Sequence, residues 1–230
     1  MKIAVMQPYF FPYIGYFQLI NEVDKFVFYD DVQFINKGWI NRNRILVNGK
    51  PNYLTVSLNK ASQNKEIKQI CIIDNRHELL KKIEFAYKKA PQFKRAFPVI
   101  EDVLKFNTTQ ISELSMYSVT AISKYLGLNT IFALSSLDFA DTKEDGRTER
   151  IISICNKSNA NTYINPIGGT ELYSRKEFHD HQVTLKFINP QKTEYKQFKN
   201  IFVSNLSIID VIMFNSVNEI QQLLSKYSLC

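Results

Sequence analysis

The sequence predicts an α/β protein with a largely parallel, Rossmann-like sheet flanked by helices and a helical segment in the middle of the chain. Three observations predict it. Short β-rich runs alternate with helix-period segments on both sides of the centre, the connections between them are short, and the opening roughly thirty residues have the size of one βαβ unit. A single domain over 1–230 is expected, with a helical insertion at about 75–127.

"KIAVMQ", Lys2 to Gln7, is an apolar run stopped by proline and reads as a buried strand. The loop "QPYFFPYIGY" follows, and from Gly15 apolar residues at Phe17, Ile20 and Val23 keep near-helical spacing. "DKFVFYDDV" returns to strand and ends in two carboxylates. "INKGWINRNRI", Ile35 to Ile45, has no clean period and reads as an ordered loop or short helix. In "ILVNGKPNYLTVSL" two β-rich stretches flank Asn48-Gly49, the signal for a tight hairpin.

"RHELLKKIEFAYKK", "FKRAFPVIEDVLKF" and "TTQISELSMYSVTAISKYLG" are three helices broken near Pro91 and Pro98, the last capped by Thr108 or Thr109 and stopped by Gly127. Then come a strand "NTIFALSSL", a helix "TERIISICNKSN", a strand "NTYINP", a helix "TELYSRKEFHDH" and a strand "VTLKFIN". "SIIDVIMFNSVNEIQQLLSKY" closes the chain as one or two helices. There is no internal repeat and no low-complexity tract.

Lys and Arg outnumber Asp and Glu by 29 to 22, a net charge of +7 that permits an anionic partner: a phosphate, a sugar nucleotide, an acidic membrane or a nucleic acid. The cations are spread at helix-face spacing, as a solvated surface has them, and no single-strand-binding module appears, so nucleic acid is not expected. Cys71, Cys155 and Cys230 lie far apart, an odd number without metal spacing, which points to a reducing cytoplasm. No signal-peptide core forms before Pro8 and Pro12, and no apolar run approaches the roughly 20 residues that span a bilayer. The oligomeric state is not readable.

Four stretches have the composition of a binding site. In open α/β sheets ligands bind beyond the carboxyl ends of strands, where the loop from Gln7 to Tyr16 lies. Gly15 there offers backbone amides to an anion, and Tyr9, Phe10, Phe11, Tyr13 and Tyr16 offer rings to a sugar or base; the other reading of the rings is core. "YIGY" has the spacing of the His-x-Gly-His signature of adenylate-forming nucleotidyltransferases, but tyrosine carries no cation at pH 7. Asp30 and Asp31 end a strand, and share a task only if the strand stops before them. Each is a candidate to deprotonate an amine, bind a ribose or hold a metal, or to cap a turn.

In "KGWINRNRI", Lys37, Arg42 and Arg44 are cationic donors, Asn41 and Asn43 neutral ones and Trp39 a stacking surface, as suits an anion with a ring. In "TYINPIGGTELY" a strand ends at Asn165 and Gly168-Gly169 leads toward a helix, either a second anion loop or a turn needing positive φ. Arg147 and Arg150, in "DGRTER", stand near a helix start. His179 and His181 are too isolated for a metal site, no metal is expected, and no cysteine has a histidine near it in sequence.

Taken together, "MQPYFFPYIGYFQLI", "FVFYDDVQF", "WINRNRI", "YINPIGG" and "NLSIIDVIMFN" resemble the WbqC-like family over essentially the whole chain. The matching positions are Gln7, Pro8, Pro12, Gly15, Asp30, Asp31, Gln33, Asn41, Arg42, Asn43, Gly168, Gly169 and Asp210. The resemblance implies a place in O-antigen or other surface-polysaccharide synthesis, with glycine transfer to an amino sugar as the proposed reaction. The expectation is an N-acyl (aminoacyl, glycyl) transferase acting on a nucleotide-linked amino sugar. Asp30 or Asp31 would be the base; Gln7, Tyr13, Gly15, Tyr16, Gln33, Lys37, Trp39, Asn41, Arg42, Asn43, Arg44, Arg147, Asn165, Gly168 and Gly169 would hold the substrate. Two alternatives stand: an adenylyltransferase-like enzyme, the only reading that calls for ATP and Mg²⁺, and a non-catalytic sugar-nucleotide-binding protein.

Overall fold

The computed structural model describes residues 1–199 and 201–230. β1 (Lys2–Met6) leads through the ring-rich loop into α1 (Ile14–Glu22) and back to β2 (Lys25–Phe28). A hairpin of β3 (Arg42–Val47) and β4 (Lys50–Thr55) follows, then the small pair β5 (Ser57–Asn59) and β6 (Cys71–Ile73). The middle of the chain holds α2 (Arg76–Tyr87), α3 (Phe93–Lys105) and α4 (Ile111–Tyr125). β7 (Ile131–Leu134), the short α5 (Ser135–Asp138), α6 (Arg147–Lys157), β8 (Thr162–Pro166), α7 (Arg175–Asp180) and β9 (Thr184–Pro190) resume the alternation. α8 (Ile208–Phe214), α9 (Val217–Leu224) and β10 (Tyr227–Leu229) complete it.

The central sheet has the order β10-β9-β8-β1-β2-β7. All neighbours are parallel except β10, which runs antiparallel to β9. This is the α/β, largely parallel, helix-flanked fold that the alternation predicts. From β1 the chain moves outward to β2 and β7, then returns to the other side of β1 for β8 and β9, so the switch point lies between β1 and β8. At such a point the two carboxyl ends diverge and leave a crevice.

Side chains alternate across the sheet with period two, and each face has its own apolar layer. Ala4, Phe26 and Phe28 pack with Phe17, Ile20, Ile212 and Ile220 on the side of α1, α8 and α9, a layer that extends to the three middle helices. Ile3, Val5 and Val27 pack with Ile151, Cys155 and Phe178 on the side of α6 and α7. The Asn48-Gly49 hairpin turn forms as expected, with φ of 50° and 75° at its two central residues, the left-handed pair that a tight two-residue turn requires.

Several elements depart from expectation. The segment taken as loop or helix becomes strand at Arg42, because Asn43 turns inward while Arg42 and Arg44 stay partly exposed, a period-two pattern too short to see among polar residues. Strand β7 stops at Leu134, where the Asp138 carboxylate accepts the Leu134 N–H at 2.7 Å and closes a helical turn. The helix expected from Thr170 starts only at Arg175: the chain first bends to seat the Tyr173 ring edge-on against Tyr163 and Phe178. Thr108 and Thr109 precede the N-cap of α4, which is Gln110; the Thr108 hydroxyl accepts the Gln110 N–H at 3.0 Å. Gly127 ends that helix with φ of 71°, as expected. The β-rich run expected to reach Leu58 splits into β4 and β5, and β6, with which β5 pairs, has no signal in the sequence.

Candidate functional site

The ring-rich loop between β1 and α1 divides its rings between core and surface. Phe10, Phe11 and Tyr16 are sealed in the core, whereas Tyr9 and Tyr13 are half-buried. The division is set at Phe11, whose φ of 41° is the left-handed region that a bulky side chain avoids. Such a residue stores about 1–3 kcal/mol and persists only where its surroundings fix it. Here three elements do so: the Ser118 hydroxyl accepts the Phe11 N–H at 3.0 Å, and the Phe11 carbonyl accepts from Asn43 Nδ2 at 2.7 Å and from the Ser207 hydroxyl at 2.8 Å. Each such bond contributes about 1 kcal/mol, enough together to offset the strain. The Tyr16 hydroxyl donates to the Gln7 carbonyl at 2.8 Å, so Tyr16, expected at the substrate, braces the loop from beneath.

Tyr9 and Tyr13 form one wall of a cavity of about 320 Å³ whose other walls are Pro12, Trp39, Asn43, Arg44 and Asn205. The Phe10 N–H to Trp39 carbonyl bond, 3.4 Å, ties the two loops together. Arg44 is the one charged residue of this lining, and its guanidinium carbon stands 5.8 Å from the centre of the Trp39 ring. Its Nη2 donates to the Asn205 carbonyl at 3.2 Å, and among the described residues its buried Nε has no hydrogen-bond partner. A buried donor left unpaired costs about 1–3 kcal/mol, which an acceptor brought by a ligand would recover. Burial raises the phenols of Tyr9 and Tyr13, so both stay protonated donors at neutral pH.

A second cavity of about 270 Å³ lies on the far side of Tyr13 and Asn205, which line both. It is lined by the start of α1, Ile14 and Gly15, and by two stretches of the strap after β9, Gln191 to Tyr195 and Phe202 to Leu206. Asp210, fully buried, holds the strap: its carboxylate accepts from the Tyr195 hydroxyl at 2.7 Å, Gln197 Nε2 at 2.7 Å and the Tyr87 hydroxyl at 2.8 Å. Burial pushes this carboxyl above its ordinary value, against the pull of those donors. The strap has no hydrophobic period, so its cavity-facing residues Tyr195, Phe202 and Asn205 had no sequence signal; Asn205 stands out only through its φ of 56°.

The paired acids form a separate cluster. β2 ends at Phe28, before them, so both can turn to one partner, and the Ser135 hydroxyl lies 3.1 Å from Asp30 Oδ1 and 2.5 Å from Asp31 Oδ1. Asp30 also accepts from the Ser136 N–H and hydroxyl, and Asp31 from Arg150 Nη2 at 2.7 Å. Burial alone would raise the Asp31 carboxyl, but the bonds from Arg150 and Ser135 and the Arg150 charge carry it below its ordinary value. The Arg150 guanidinium also lies 4.8 Å over the Tyr29 ring. Neither acid lines either cavity. What the geometry gives them is a clasp that holds α5 and α6 to the ends of β2 and β7.

The remaining predicted positions scatter. Gln7 is half-buried at the end of β1. Gln33 and Lys37 are exposed, Gln33 opposite Glu66 in an isolated bridge. Asn41 donates to the Val56 carbonyl at 2.8 Å, while Arg42 donates to the Gly38 and Lys37 carbonyls and covers the Tyr53 ring, so both are engaged with the protein's own backbone and rings. Gly15 makes room for protein, since a Cβ there would lie 2.3 Å from the Tyr13 ring. Gly169 likewise admits the Asn165 side chain, 1.9 Å from where its Cβ would be. Neither Gly168 nor Gly169 has positive φ. Arg147 is exposed at the start of α6.

The structure is an α/β sheet with two neighbouring cavities that share Tyr13 and Asn205, one of them lined by rings and by Arg44, whose Nε is unpaired among the described residues. The chain belongs to the WbqC-like protein family, which matches residues 7–222. That membership suggests a role related to polysaccharide biosynthesis. The chain is also 29% identical over 219 residues, 93% of each chain, to the uncharacterized protein Rv1507c of Mycobacterium tuberculosis (strain ATCC 25618 / H37Rv). No solved structure matches it. No helix among the described residues is long and apolar enough to cross a membrane.

Proposed function

We propose that the protein binds a nucleotide-linked amino sugar in the Tyr9, Tyr13, Trp39 and Arg44 cavity and serves N-acyl transfer, aminoacyl and specifically glycyl, to its amine. The observation that carries the reading is Arg44: a guanidinium whose Nε is unpaired among the described residues, in a lining to which none of those residues brings a carboxylate. A planar cation with several donors suits a diphosphate, and the flanking rings suit a sugar or base. Asn43 and Asn205 add neutral groups for sugar hydroxyls.

Acyl transfer joins the amine nitrogen to the carbonyl carbon of an activated donor, expels the donor's leaving group and releases one proton. Asp31, bonded to Arg150 and Ser135, is a weak acceptor for that proton, and Asp30 is occupied by Ser135 and Ser136. In this reading the two acids therefore position α5 and α6, and the expelled leaving group takes the proton.

Calorimetric titration with UDP-N-acetylglucosamine and its unacylated amino-sugar counterpart tests the binding step. Binding that Arg44→Ala weakens about tenfold or more, with the thermal transition unchanged, is expected; indifference of both ligands to Arg44 overturns it. Mass spectrometry of surface glycan from a strain without the gene then looks for one missing acyl mass. Pyrophosphate exchange dependent on an amino acid would instead mark the adenylyltransferase reading, and an unchanged glycan with binding retained would mark the non-catalytic one.

A further inference from the structure

A third surface feature lies away from both cavities, at the corner where α2 turns into α3. Lys88, Lys89, Lys94 and Arg95, with Pro91 and Phe93, surround an open cleft of about 480 Å³. All four cations are exposed, and among the described residues none forms an ion pair. The acids nearest in sequence do not serve them: Glu101 pairs with Lys105, and Glu84 contributes only its backbone carbonyl to the Lys88 N–H. Phe85, in the last turn of α2 just before Lys88 and Lys89, is 61% exposed.

The placement of the charges is unfavourable for the folded chain by itself. Lys88 and Lys89 sit where the C-terminal end of α2 welcomes cations, but Lys94 and Arg95 occupy the first turn of the thirteen-residue α3, and that turn has no acid. Cations at that end oppose the helix dipole. The corner is also firmly held: the Gln92 N–H donates to the Met213 carbonyl of α8 at 3.0 Å, and the Phe93 and Phe97 rings stack at 4.6 Å. A fixed set of four unpaired cations beside an exposed ring and an exposed proline is the combination that anionic bilayer surfaces attract, with the cations at the headgroups and the ring at the interface.

We infer that the α2–α3 corner is a peripheral docking surface for anionic membrane, through Lys88, Lys89, Lys94 and Arg95 with Phe85 entering the headgroup layer. The inference is independent of the ligand proposed for the cavities. Membrane is favoured over nucleic acid because the four cations form one compact corner rather than a stripe that tracks a backbone, and because the exposed side chain at its edge is apolar.

Co-sedimentation of the purified full chain with vesicles of phosphatidylglycerol and phosphatidylcholine in equal parts, against phosphatidylcholine alone, tests it. Binding only to the anionic vesicles, weakened by added salt, is expected. Lys94→Ala with Arg95→Ala should weaken it about 30-fold, from the usual worth of two basic residues at such a surface. Phe85→Ala should weaken it further. Because the whole chain is cationic, a control removes as much charge elsewhere, Lys60→Ala with Lys176→Ala, and should change binding little. An equal loss in control and corner variants overturns the inference, as does absence of binding to the anionic vesicles. Displacement by millimolar inorganic phosphate that chloride at the same ionic strength does not reproduce, or tighter binding to duplex DNA or RNA than to the vesicles, overturns it in favour of a free anion or a nucleic acid.

Discussion

The Tyr195 hydroxyl donates to Oδ2 of Asp210 across 2.7 Å, and through that bond the strap after β9 is fastened to the buried face of α8. The same carboxylate takes the Tyr87 hydroxyl, which in turn accepts the Leu46 N–H at 2.9 Å, so one acid joins strap, hairpin and helix. Tyr195→Phe removes one donor from a buried charge and should cost about 1–3 kcal/mol in urea unfolding. It should also loosen the second cavity, of which Tyr195 is a wall.

The pH dependence of that site has a definite sign. Burial raises the folded Asp210 carboxyl above its unfolded value, about 3.9 for a free aspartate, so between the two values the folded state holds the extra proton. Stability from this group therefore falls as pH rises from about 4 toward the folded pKa, and stays lower above it. Asp210→Asn removes the slope; urea midpoints measured across that range read the difference from wild type.

Asp31 behaves in the opposite sense. Its folded pKa lies below the unfolded one, so it contributes stability that is fully present above about pH 4 and is lost as pH falls through the folded value. Arg150→Met leaves a carboxylate buried without its cation and should cost about 3–5 kcal/mol at neutral pH. In acid, where Asp31 is protonated in both proteins, the gap should narrow. A gap that stays constant down to the acid transition would remove the ion pair from the account.

Arg44→Ala should lower affinity for a sugar nucleotide about tenfold or more, because a charge-assisted bond is worth about 1.5–3 kcal/mol. Arg44→Lys should restore little of it, since an ammonium lacks the fork. Trp39→Ala should lower affinity with little change in unfolding midpoint, because Trp39 is already 39% exposed. Loss of stability parallel to loss of affinity would assign both residues to folding.

Gly15→Ala places a methyl 2.3 Å from the Tyr13 ring and forces that ring to move. Over-packing of this kind costs about 1–3 kcal/mol. A drop in ligand affinity beyond what the stability loss explains is expected, read by calorimetry at a temperature where both proteins are folded.

The sheet was legible because its strands are apolar runs such as "KIAVMQ" and "VTLKFIN", bounded by turn residues and separated by helical periods. The cavity was half legible: Tyr13, Trp39, Asn43 and Arg44 were marked by residue type, and the fold brings them together. Its other wall was not, because Asn205 sits in a strap without periodicity. Nor does composition tell which of five neighbouring rings turn inward; that follows from the left-handed Phe11 and from partners up to 196 residues away in sequence. Asp30 and Asp31 read as reactive because paired acids at a strand end often are, while the partners that occupy them, Ser135, Ser136 and Arg150, lie more than a hundred residues downstream.

The ring of Tyr13 lines both chambers, as Asn205 does, and it rests against Gly15, the residue with no side chain to push it away. Any displacement of that phenol therefore reshapes a wall of both chambers at once, so neither can be altered through this residue without the other.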